Sequence, residues 1–74
     1  MDDTAAAQFS GDLLEGADQI AEFLKSQGLR VTRRRAFDLC ERGQIPAGKL
    51  GGGWVGSRRA IVAHLAKLTQ GEGG

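Results

Sequence analysis

Residues 31–56 read VTRRRAFDLCERGQIPAGKLGGGWVG. Two kinds of local structure meet in this stretch. Ala36, Leu39 and Cys40 fall three and four residues apart, the spacing of one buried helical face, with Phe37 on its flank. Thr32 stands just before this pattern, where its hydroxyl can accept a hydrogen bond from a free backbone N–H of the first turn. Gly43 stands just after it, where a positive φ ends a helix. The spacing therefore predicts a helix from Arg33 to Arg42. Beyond it, Ile45-Pro46 opens an extended piece, and Lys49-Leu50 and Trp54-Val55 read as two short strands. Gly51, Gly52 and Gly53 join them, a hairpin signal that also leaves a bare backbone tip able to approach another surface closely.

The flanks supply two more helices. On the N-terminal side, GADQIAEFLKS (16–26) places Ala17, Ile20, Ala21 and Leu24 on one face and Asp18 and Glu22 on the outer one, with Gly28 as the stop. Leu13 and Leu14 are expected to pack against this helix. On the C-terminal side, SRRAIVAHLAKL (57–68) begins with Ser57 as N-cap and carries Ile61, Leu65 and Leu68 at helical spacing, with Val62 beside them. Residues 1–12 are expected to form a disordered or loosely attached arm and residues 70–74 a flexible tail. The fold expected for residues 13–69 is mainly α with a small β wing: three helices plus a two-stranded hairpin.

A chain of 74 residues with one cysteine (Cys40) and one histidine (His64) has no intrachain disulfide and no metal-ligand cluster in its sequence. It also lacks the carboxylate or nucleophile–base pairings of an enzyme, and no cofactor is expected. The segment GKLGGGWVGS lacks the Gly-Lys-Ser/Thr ending of a phosphate loop. No run approaches a membrane span, and MDDTAAAQFSGD lacks the basic start and apolar core of a secretory signal. These features read as a cytoplasmic protein of one small domain. Cys40 and Trp54 are expected in the core, Trp54 beneath the hairpin, and His64 in a packing or surface role.

Charge is divided along the chain. Residues 1–28 carry a net of −5 and residues 29–74 a net of +6, with eight of the latter's nine bases between Arg30 and Arg59. Such a split points to a polyanion partner. Arg33, Arg34 and Arg35 occupy a helical first turn, where the helix dipole disfavours cations. A negative group arriving from outside would relieve that conflict, and a helix N-terminus beside arginines is a good phosphate site. Arginine also binds guanine O6 and N7 through two hydrogen bonds. Successive helical residues splay by ~100°, so one or two of the three can meet base edges while the rest hold phosphates. Two helices joined by a turn, the second basic at its start, describe a helix-turn-helix. Lys49 on the hairpin, Gly52 at its tip, and Arg30, Arg58 and Arg59 would then contact flanking backbone. Against this stands a solvated arginine face, with Arg34 and Asp38 forming an i, i+4 pair.

The order Val31-Thr32-Arg33-Arg34, the stripe Ala36 to Cys40, Arg42-Gly43-Gln44-Ile45-Pro46, then Lys49, Gly51, Gly52, Trp54 and Arg58 resembles the winged helix-turn-helix domains of the excisionase and MerR-like superfamily. With LLEGADQIAEFL as first helix, the resemblance spans residues 13–68. The segment KSQGLR between the first two helices is longer than the family's usual turn, and Gly53 and Val55 stand where basic residues are common. The resemblance implies a bacterial or phage protein that binds double-stranded DNA in the nucleoid. It would serve as an excisionase-type recombination factor, a small transcriptional regulator or a DNA-packaging subunit. A single domain with so short a recognition helix covers only a short site, so further copies of itself or a recombinase or polymerase partner are expected beside it. The alternative is a protein-interaction module whose basic surface meets an acidic partner. A second copy's Asp18 and Glu22 face would serve as one such partner.

Overall fold

The computed structural model describes residues 9–70. Three helices pack with a three-stranded antiparallel sheet in the order β1 (Leu13–Glu15), α1 (Gly16–Ser26), α2 (Arg33–Glu41), β2 (Ala47–Leu50), β3 (Gly53–Ser57) and α3 (Arg58–Gln70). The third strand corrects the expected two-stranded hairpin. Leu13, Leu14 and Glu15 pair with Ser57, Gly56 and Val55, so β3 lies between β1 and β2. Pairing satisfies the backbone groups on the edge of β3 that the hairpin leaves open. Leu14 is buried as its packing role requires, whereas Leu13 points outward.

The helices stop where their glycines allow. At the end of α1, Gly28 adopts φ 99°. Its N–H donates to the Lys25 carbonyl at 2.9 Å, and the Leu29 N–H to the Leu24 carbonyl at 3.1 Å. At the end of α2, Gly43 adopts φ 69°. Its N–H donates to Cys40, and the Gln44 N–H to Leu39, at 3.0 and 2.9 Å. Both pairs of bonds form the Schellman motif, which satisfies carbonyls the helix itself cannot. Val31 is buried in the long connection and pins it to the core.

The hairpin closes through Gly51 and Gly52 alone, at φ 60° and 97°, with Leu50 opposite Gly53. Positive φ at both positions is the requirement of a two-residue type I′ turn. Gly53 therefore begins β3 instead of lengthening the loop. The core gathers Leu14 from β1, Ile20, Ala21 and Leu24 from α1, Val31 from the connection, Ala36 and Cys40 from α2, Ile45, and Ile61 from α3. Gly56 is the close point between sheet and helices: a Cβ there would lie 3.4 Å from Ile61 Cδ1 and 3.8 Å from Ile20 Cδ1. Trp54 packs partly buried against this core.

The arm expected over residues 1–12 falls outside the described residues at 1–8. At residues 9–12 the chain is tied down. The Asp12 N–H donates to the Phe9 carbonyl at 3.0 Å, and the Arg58 N–H to the Asp12 carbonyl at 2.8 Å. Gln70 still belongs to α3, and the rest of the expected tail, 71–74, lies outside the described residues.

Candidate nucleic-acid interface

Thr32 takes an extended conformation and its Oγ1 accepts from the Arg35 N–H at 3.1 Å, which sets the start of α2 at Arg33. This turn holds no acid, and the last turn of α2 holds no base. The helix thus carries its charges the wrong way round for its own dipole at both ends. Thr32, Arg33, Arg34 and Arg35 are all exposed, as is Arg30 two residues upstream.

Their local partners differ. Arg33 Nε lies 3.0 Å from Asp18 Oδ1 on α1, an ion pair with both side chains 75% exposed. The acid-rich first helix thus pairs with one arginine within the molecule, through an acid that the protein-interaction alternative assigns to contact with a second copy. Asp38 pairs with Arg42 at 3.4 Å, not with Arg34. Among the described residues, Arg30, Arg34 and Arg35 have no acidic partner. Arg34 and Arg35 border a shallow hollow along α2 together with Thr32, Phe37, Asp38 and Glu41.

On the hairpin, Lys49 faces Trp54 across the strand pair and its ammonium lies 5.4 Å from the indole centroid. The contact holds the lysine over an aromatic face, a cation–π arrangement. The Trp54 Nε1–H is buried and unpaired among the described residues. Gly52 sits at the exposed tip.

Arg58 and Arg59 have jobs inside the fold. Arg58 Nη1 donates to the Gly11 carbonyl at 3.2 Å, and its guanidinium lies 5.7 Å from the Phe23 ring centroid on α1. Arg59 Nε lies 3.7 Å from Asp12 Oδ2. Asp12 in turn caps α3: Oδ1 accepts from the Arg59 N–H at 3.0 Å, and Oδ2 accepts from the Ser57 hydroxyl. Ser57 Oγ also accepts from the Ala60 N–H at 3.2 Å, the N-cap bond expected of it. The Ser57 hydroxyl, with the Arg59 N–H and guanidinium, holds the Asp12 carboxyl below the usual carboxylate range, although partial desolvation pushes the other way. The two hollows that Arg58 and Arg59 border are lined from α1, β1 and α3, with no residue of α2. The nine residues expected at the interface therefore divide. Thr32 to Arg35 share one helical turn, Arg30 leads into it, Lys49 and Gly52 lie on the hairpin, and Arg58 and Arg59 form a separate patch beside α1.

The sequence places Phe37 mainly in the core, with an edge that can face DNA. It is 44% exposed, on the outer face of α2 beside the arginines, while Ala36 and Cys40 carry the packing. Its position one residue after Ala36 was the available signal. Burial pushes the Cys40 thiol pKa up, as suits a small core residue. His64 Nε2–H donates to the Gln44 carbonyl at 2.8 Å and ties the end of α2 to α3. Among the described residues, no three His, Cys, Asp or Glu side chains cluster in a way that could hold a metal ion. No helix among them is long and apolar enough to cross a membrane. The chain matches no protein-family model, no curated protein and no solved structure.

Proposed function

We propose that this chain binds double-stranded DNA sequence-specifically as a winged helix-turn-helix domain. In this reading α2 enters the major groove with its first turn leading. Arg34 meets a base edge, Arg30, Arg33 and Arg35 hold phosphates, and the hairpin lies along the backbone with Lys49 on a phosphate and Gly52 allowing close approach. The observation that carries the reading is the first turn of α2. Three arginines stand there against the helix dipole, and two of them lack any acidic partner among the described residues. Such an arrangement costs folding free energy that an external anion recovers. Arg58 and Arg59 lie on a separate patch beside α1, which leaves about four expected phosphate contacts, from Arg30, Arg33, Arg35 and Lys49.

The biological role that fits is an excisionase-type recombination factor or a small transcriptional regulator. The alternative, a basic surface for an acidic protein, uses the same arginines. Selection from a pool of random duplexes separates the two. Enrichment of a short motif, bound with a slope of log K against log salt of roughly −3 to −5, supports DNA reading. Absence of enrichment, together with no binding at moderate salt, refutes it.

A further inference from the structure

We infer that Phe37 is a specificity-determining residue that reads a thymine methyl group beside the guanine held by Arg34; the inference rests on the DNA-binding reading above. Phe37 is 44% exposed on a helix of nine residues whose inward face is already filled by Ala36 and Cys40, with Leu39 partly buried. The rest of the outer face is charged: Arg33, Arg34, Asp38 and Glu41. A helical side chain leans toward the N-terminus, over the residues three and four positions before it. For Phe37 those residues are Arg34 and Arg33, and the same three line one shallow hollow with Thr32. The ring therefore sits as an apolar spot at the edge of the cationic turn. The cation–π contacts of the described residues engage Trp54 and Phe23 and leave this ring open.

The DNA major groove offers one apolar feature on its base edges, the C5-methyl group of thymine. A three-residue step along a helix rises ~4.5 Å, and base pairs are spaced by ~3.4 Å. Phe37 thus falls one or two base pairs from the base held by Arg34. The favoured site contains a guanine with a thymine one or two positions away, on either strand.

The test uses the best duplex from selection, with each thymine replaced singly by uracil, which removes only the methyl group. Binding is measured for the wild-type chain and for Phe37→Ala, whose exposed helical position favours alanine; circular dichroism checks its fold. At one thymine the wild type should lose about three- to fivefold in affinity, the worth of one buried methyl group. Phe37→Ala should bind the thymine duplex more weakly by at least that factor and should not distinguish thymine from uracil. The inference is overturned if the enriched motif has no thymine within two base pairs of its guanine. It is also overturned if no uracil replacement matters, or if Phe37→Ala still senses the methyl. In each of those cases DNA binding itself stands. Failure to bind any duplex overturns both this inference and the DNA reading.

Discussion

Replacing Arg35 by glutamate should stabilise the fold and weaken DNA binding at the same time. Arg35 occupies the third position of α2, and its N–H already bonds to Thr32 Oγ1 at 3.1 Å. A glutamate at this position completes the reciprocal capping arrangement, in which the carboxylate reaches back to the N–H of the cap residue. It also exchanges an unfavourable charge for a favourable one at the positive end of the helix. Each such charge is worth about 0.3–1 kcal/mol at an exposed site, so the exchange contributes roughly 0.6–2 kcal/mol. For a domain of this size that corresponds to a rise in Tm of roughly 3–15 °C. Thermal melts followed by circular dichroism read the stability. Fluorescence-anisotropy titrations at several salt concentrations read the binding, and the slope of log K against log salt should shrink by at least about one. Arg35→Gln should give about half the stabilisation and a slope change of about one. A fall in Tm for Arg35→Glu would refute the reasoning, because it would make the arginine a brace of the fold. An unchanged salt slope would remove Arg35 from the phosphate backbone.

Three further outcomes test other parts of the structure. Asp18→Asn breaks an exposed ion pair with Arg33. Stability should change by less than about 1 kcal/mol, and DNA affinity should rise because Arg33 no longer has a competing carboxylate; a drop in affinity would contradict the phosphate role of Arg33. The Asp12 pKa is lowered in the folded state. Its capping contribution is therefore complete above the ordinary carboxylate range and is lost as pH falls through the lowered value. Asp12→Asn should lower Tm at neutral pH and flatten the acid side of the stability profile, and an unchanged profile would contradict the cap. Cys40 is buried with a raised thiol pKa, so its alkylation should follow global unfolding and slow in step with stabilisation by Arg35→Glu. Rapid alkylation of the native protein would show that the α2 core face opens locally.

The elements that could be read from the sequence are those whose determinants lie within a few residues of each other. The apolar spacing of Ile20, Ala21 and Leu24, with Gly28 beyond, marks α1 as Gly16–Ser26. Thr32 and Gly43 bracket α2 to within one residue of its observed end. The strand β1 carries no such signal. Three residues are too few to show a period of two, and their partners Val55 to Ser57 lie some forty positions away. Asp12 is hidden for the same reason: the bond from Ser57 to its carboxylate joins residues 45 positions apart. The arginines illustrate the limit at the candidate site. Their number and order along the chain were visible, but the division between Arg34 and Arg35, without acidic partners among the described residues, and Arg33, Arg58 and Arg59, paired within the fold, depends on which distant oxygens the fold brings near. Phe37 was visible as apolar, and only the tight packing of Ala36 and Cys40 turns it outward.

The most direct test is an NMR titration of the isotope-labelled chain with its best selected duplex, following every backbone amide and the Trp54 indole. DNA binding through α2 and the hairpin predicts the largest shifts at Arg30 to Phe37 and at Lys49 to Trp54, with small ones at Arg58, Val62 and Leu68. Shifts centred on Phe23, Arg58 and Arg59, or none at the first turn of α2, would contradict it.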